Sequence, residues 1–191
     1  MKTIIAAIIL VLAAGCATVE KVETGERAVG ERLTLTLEGA WNKMSTQGPA
    51  QLWTMEGVTV DQLLLFSGVK NDELVHASGG GGAKSFAFRS GMQPDEIVAM
   101  FEGALTRDGS QFTLNKLEPV SFGGEKGFRF EYAIVRRVDN AQLAGVGYGV
   151  VSKGELFALL YHAPRLAFFP RHLPRVEQIA KSARVKAASG T

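Results

Sequence analysis

One cysteine, Cys16, stands in 191 residues. An intrachain disulfide is thereby excluded, and so is a cysteine-built metal site. Histidine is nearly as scarce. His76, His162 and His172 are far apart, and no two have the spacing of metal ligands. No apolar run reaches the roughly 20 residues that a helix needs to cross hydrocarbon. The longest, Ile4 to Ala14, has eleven. Charge of one sign is not in excess either. Twenty-one Lys and Arg face 19 Asp and Glu, a formal charge of +2, without the strong basic surplus of a general nucleic-acid binder. The nucleophile elbow G-x-S-x-G is absent. The carboxylate pairs Asp72-Glu73 and Asp95-Glu96 are adjacent in sequence, so they diverge instead of facing each other across a substrate. Nothing in the pattern calls for a cofactor or a metal.

What is present begins with Lys2 to Cys16, K-T-I-I-A-A-I-I-L-V-L-A-A-G-C. A single cation precedes the apolar run, and Ala13, Ala14 and Gly15 are small enough for a peptidase cleft. The segment resembles the lipobox signal peptide of bacterial lipoproteins, with Ala13 where leucine is usual. The resemblance implies cleavage between Gly15 and Cys16 and acylation of the Cys16 thiol. Residue 17 is Ala and not Asp, which by the same resemblance favours the outer membrane, facing the periplasm. An ordinary cleaved secretory signal is the alternative. Acyl chains, at about 0.8 kcal/mol per buried methylene, moor a soluble body without spanning the bilayer.

The expected organisation is a signal peptide over 1–15, an acylated N-terminus and flexible tether over 16–31, one α+β domain over 32–186 and a tail over 187–191. The tether is expected because Ala17 to Glu31 is polar and charged, with scattered valines and two glycines. Arg32 to Glu38 alternates as a half-buried strand. Gly39 to Ala50 reads as a loop, Gln51 to Glu56 as a strand, and Asp61 to Phe66, with four consecutive apolar residues from Leu63, as a strand buried on both faces, a helix turn being the alternative. Short pairings are expected at Leu74 to Ala77 and Ser85 to Arg89. Gln93-Pro94-Asp95-Glu96 opens a helix with proline and carboxylates where the first turn favours them. Its apolar stripe runs through Ile97, Val98, Met100, Phe101, Ala104 and Leu105. Four strands follow: Gln111 to Leu117, Gly127 to Val138, Gln142 to Val151 and Glu155 to His162. A last helix is expected over Leu173 to Ala183.

This order resembles the Mog1/PsbP-like fold. It is carried by the helix opened by M-Q-P-D-E-I, the antiparallel meander, the hairpin G-Y-G-V-V-S-K-G-E-L-F-A-L-L-Y and the closing helix into K-S-A-R-V. The resemblance covers Leu33 to Val185 and implies an α+β fold, an antiparallel β-sheet flanked by helices in an α/β/α sandwich. It also implies a mostly non-catalytic role in binding protein partners.

Candidate sites are few. S-G-G-G-G-A-K-S over Ser78 to Ser85 has Ser78 and Ala83 where a phosphate-binding loop requires glycine, and reads as a loop. Gly145, Gly147 and Gly149 share one strand face. They form a smooth patch for the protein's own helix, or a groove for a ligand. Arg165, Arg171 and Arg175 lie in a basic C-terminal quarter and, with Trp41, form the candidate binding surface for an acidic or anionic partner. The function expected is that of a lipid-anchored envelope protein, non-enzymatic, binding or stabilising a protein partner. The alternative is a carrier of a small or lipidic ligand.

Overall fold

A computed structural model describes residues 19–46, 48–76 and 86–186. The segment read as a signal peptide, with Gly15 and Cys16, lies outside the described residues, as do Ser78 to Ser85 and the tail.

Eight strands form one antiparallel sheet in the order β1-β4-β5-β6-β10-β9-β8-β7. They are β1 (Val19–Val22), β4 (Trp41–Met44), β5 (Ala50–Thr54), β6 (Gln62–Val69), β7 (Gln111–Phe122), β8 (Glu125–Val135), β9 (Gln142–Ser152) and β10 (Glu155–Pro164). A second, three-stranded sheet joins β2 (Gly25–Val29), β3 (Leu33–Leu37) and β11 (Arg184–Val185) in the order β11-β3-β2. Helix α1 (Pro94–Leu105) covers one face of the large sheet. Helix α2 (Phe168–Ser182) and the small sheet cover the other.

Period-two alternation puts a core on each face. Along β10, Phe157, Leu159 and Tyr161 join the α2 side, whereas Leu156, Ala158 and Leu160 join the α1 side. β6 divides the same way, with Leu63 and Leu65 against Leu64 and Phe66. That accounts for its unbroken apolar run. Among the described residues the fold is sheet-dominated and antiparallel with two helices, so the helical layers of the expected sandwich are thin.

Helix α1 begins where the sequence predicts. The Gln93 N–H donates to Glu96 Oε2 at 2.7 Å, closing the first turn. Glu96→Ala is expected to cost about 1 kcal/mol, read as a lower urea midpoint with an unchanged slope. The β9–β10 hairpin turns on Lys153 (φ 52°) and Gly154 (φ 82°), the left-handed pair that matches strand twist.

Four expectations are corrected. The stretch read as a flexible tether is folded from Val19 onward. β1 pairs with β4 and β2 with β3, because the scattered Val22 and Val29 are core residues. The loop expected over Gly39 to Ala50 contains β4, since Trp41 seals the α2-side core. β7 continues past Leu117 to Phe122. It pairs only with β8, so Pro119 sits on a strand edge where no ladder donor is needed. α2 starts at Phe168, five residues early. Pro170 falls in the first turn, where its missing N–H costs nothing. Phe169 anchors that turn by stacking on Tyr161 at 6.1 Å.

The glycine face of β9 also differs from expectation. The β8 rings cover it, not a helix backbone. Phe128 lies opposite Gly149, Phe130 opposite Gly147 and Tyr132 opposite Gly145. A Cβ at any of the three would meet those rings far inside the 3.0 Å that real Cβ atoms keep. α1 then packs on the rings, with Phe101 stacked on Phe130 at 6.4 Å.

Candidate functional site

Four connections leave the same end of the large sheet. They are 55–61 before β6, 106–110 before β7, 136–141 before β9 and 165–167 before α2. Strand register brings them together: Gln111 pairs with Val135, Val135 with Gln142, Leu143 with Pro164 and His162 with Gln62. The Arg165 N–H closes the seam on the Gln142 carbonyl at 3.0 Å.

Arginines tie these loops to one another. Arg136 donates to the Thr59 carbonyl at 2.7 Å and grips both Asp139 oxygens at 2.9 and 2.6 Å. The Arg137 N–H donates to Ser110 Oγ at 3.0 Å, and its guanidinium donates to the Asp108 carbonyl at 3.0 Å. The Arg136 contact holds the Asp139 carboxyl at about 2, well under its ordinary value. The Ser110 N–H lowers the Asp108 carboxyl. Under this end, burial pushes the His162 imidazole down to about 4, with Arg136 adding to the effect.

The 55–61 loop is built on a buried carboxylate. Asp61 accepts the Thr54 O–H at 2.5 Å and the Met55 and Glu56 N–H groups at 3.1 and 2.8 Å. Glu56 then faces α2, with His172 Nε2 2.9 Å away and Arg171 3.8 Å away. This chemistry holds loops in place.

What the tied loops present to solvent is apolar. Val138 is 83% exposed and Leu166 88%, well beyond any other exposed large hydrophobic among the described residues. Arg137, Arg165 and Arg171 are exposed beside them, and Arg171 lies over the Phe168 ring at 5.1 Å. Of the four residues picked from sequence, Arg165 and Arg171 therefore belong to this end. Arg175 is half-buried, its guanidinium donating to Met55 Sδ at 3.5 Å. Trp41 is a correction. It is 1% exposed and meets Tyr161 edge-on at 6.3 Å, because β4 turns the indole into the core. Val138 and Leu166 escaped sequence reasoning: Val138 was read as the end of a strand that in fact stops at Val135, and Leu166 precedes an apolar stretch that looks like core.

A second feature lies on the α1 side. Between α1 and strands β5 and β6 runs an apolar groove of about 180 Å³. Leu52, Leu64, Phe66 and Leu160 of the sheet and Phe101 and Leu105 of α1 line it. Thr46 and His76 also line it, and Arg107 Nη1 lies 3.0 Å from His76 Nδ1. Among the described residues, no group of three His, Cys, Asp or Glu side chains is placed to hold a metal ion. No described helix is long and apolar enough to cross a membrane.

No family model and no curated protein matches the sequence. Among the solved structures similar to this chain are two with informative descriptions. One is the solution structure of cyanobacterial PsbP (CyanoP) from Synechocystis sp. PCC 6803, with a TM-score of 0.58 and 12% identity, covering 91% of this chain and 95% of that one. The other is LpqN of Mycobacterium tuberculosis, described as involved in cell envelope biogenesis, with a TM-score of 0.45, 11% identity and coverage of 88% and 92%. At 12% identity the first likeness is one of fold alone: the chain has a PsbP-like fold.

Proposed function

We propose that this chain is a lipid-anchored envelope protein that acts by binding, without catalysis, and holds a protein partner through its arginine-flanked loop end. The observation that carries the reading is the pair of exposed side chains, Val138 and Leu166, on loops that strand register and arginine contacts hold at one end of the sheet. Apolar prongs that project from held loops lose little entropy on docking. The surrounding arginines favour a partner with acidic groups around an apolar pocket.

The anchor fits that orientation. β1 runs toward the loop end, from Val19 beside Met44 to Val22 beside Trp41, and Thr54, next to Asn42, leads into the 55–61 loop. The chain therefore arrives from the other direction. An acylated Cys16 leaves the loop end pointing away from the bilayer, into the periplasm if the anchor sits in the outer membrane.

The test is in-cell photo-crosslinking from position 167, exposed next to Leu166, with an intact-mass measurement of the mature N-terminus. The expected result is a discrete crosslinked protein that disappears in the Val138→Asp/Leu166→Asp variant, whose melting temperature stays put because both sites are solvated. The same crosslinked species in the double variant, or a measured turnover by the purified protein, would sink the reading. A second reading, a carrier of a lipidic ligand, is favoured by the apolar groove under α1.

A further inference from the structure

We propose that the groove between α1 and strands β5 and β6 is the seat of one acyl chain carried by the protein's own Cys16. An apolar row leads to it from the start of β1. Val19 of β1 lies opposite Met44 of β4, Met44 opposite Leu52 of β5, and Leu52 opposite Leu64 of β6. Residues directly opposite in antiparallel pairs share a face, and Leu64 packs on the α1 side. The four side chains therefore form one apolar track across four strands. It ends in the groove, which Leu52 and Leu64 line. Val19 is 54% exposed, and Met44, Leu52 and Leu64 are half-buried. The next row toward the loop end, Lys21 opposite Asn42, is polar, so the apolar course is bounded on that side. Uncovered apolar surface that runs into a groove marks a site for a hydrophobic occupant.

Reach selects that occupant. β1 and β4 run antiparallel, so β1 begins at the end where β4 leaves for Thr46, which lines the groove. Three residue steps separate Val19 from Cys16, at most about 11 Å. Two strand spacings, about 10 Å, separate β1 from β5. An acyl chain spans one leaflet, about 15 Å, or half the hydrocarbon thickness. It is long enough to follow the track. An apolar cavity of about 150 Å³ holds one benzene. The groove, at about 180 Å³, thus covers about six carbons, and the row from Val19 to Leu52 carries the rest.

The proposal rests on the anchor proposed above, and it gives the groove to that anchor instead of to a ligand from outside. In a bilayer the chain exchanges one hydrocarbon setting for another and gains little. Away from a bilayer the seat keeps it from water. The groove thus favours the acylated protein while it is off the membrane.

The test replaces Thr46, exposed and lining the groove, with benzoylphenylalanine in the full chain processed in cells. A co-expressed tagged copy without the photoprobe reports links between chains. After irradiation the protein is digested and its crosslinked peptides are read by mass spectrometry. The expected product joins the peptide holding position 46 to the peptide holding acylated Cys16 of the same chain. Ala104→Phe on α1 and Ala50→Phe on β5 fill the groove from two sides. Each is expected to lower the yield at least about tenfold, the loss of roughly two buried methylenes. Val19→Asp interrupts the track at an exposed position and is expected to lower the yield several-fold with the melting temperature unchanged.

An unchanged yield in Val19→Asp, or in a filling variant that keeps the native circular dichroism, overturns the seat. Links to the tagged copy's Cys16 overturn a seat within one chain. Links to phospholipid with none to Cys16 overturn the occupant and return the groove to a carried ligand. No link to any acyl chain, on a Cys16 whose intact mass shows acylation, overturns the seat and leaves the anchor and the loop-end reading standing. A Cys16 of unmodified mass removes the anchor and the seat together.

Discussion

Gly147→Val is expected to destabilise the domain by about 3 kcal/mol or more, a fall in melting temperature of about 10 °C for a chain of this size. Two effects compete. Replacing a strand glycine by a β-branched residue favours the strand by up to about 1 kcal/mol. Against it, the new Cβ falls on the Phe130 ring, the cross-strand partner of Gly147. That ring cannot move aside. Phe101 stacks on it at 6.4 Å, and Phe128 and Tyr132 lie at 6.2 and 5.5 Å along the strand. Overpacking therefore wins. Phe130→Ala alone should cost about 3–5 kcal/mol through the cavity it leaves. The two changes together should cost less than their sum, because valine then occupies the vacated space. Urea denaturation of the four members of the cycle measures this. Strict additivity would show that ring and glycine do not share the site.

His162 carries the second large effect, and it depends on pH. Its ring is 7% exposed, and burial holds its folded value at about 4 against an ordinary 6.5. The unfolded chain therefore takes up the proton first. Above about pH 6.5 neither state is protonated and the group has no influence on stability. Between about pH 6.5 and 4 the unfolded state gains protons that the folded state does not, and stability falls by about 3 kcal/mol. Below about pH 4 both states are protonated and the loss levels off. His162→Gln removes the titrating group and keeps a polar partner for the Tyr132 hydroxyl, which lies 3.3 Å from His162 Nδ1. Chemical denaturation at intervals from pH 4 to pH 7 should give a flatter curve for the variant. Parallel curves would mean that the imidazole is solvated, not buried. Asp139 and Asp108 are also held below their ordinary values. Their losses come at lower pH and are common to both proteins.

Legibility followed periodicity. α1 was readable because proline, two carboxylates and an apolar stripe agree over twelve residues. β8, β9 and β10 were readable because alternation or a continuous apolar run extends over at least ten residues each. β1, β2 and β4 have four or five residues each. Their strand state comes from partners distant in sequence, as with Val22 beside Trp41. Short polar windows hold no such information. The first turn of α2 was hidden by Pro170 and Pro174, which signal against a helix until Phe169 is seen docked on Tyr161. The glycine triplet was recognised as a face, but not as the bed for three rings, since register is a tertiary fact.

By itself the sequence determined the antiparallel character of the domain, the place of α1, the scarcity of metal-ligand chemistry and the expectation of an anchor at Cys16, which lies outside the described residues. Local pattern is sufficient for the helix and composition for the few metal-ligating residues, while the antiparallel sheet and the anchor were read from the resemblances to the Mog1/PsbP-like fold and the lipobox. Tertiary structure alone decided that Trp41 is interior, that Val138 and Leu166 share one end of the sheet, and that α1 leaves an apolar groove beside β5. Each of these depends on which strands pair and in what register, and that choice is made by burial summed over the whole chain, where no single window of sequence can see it.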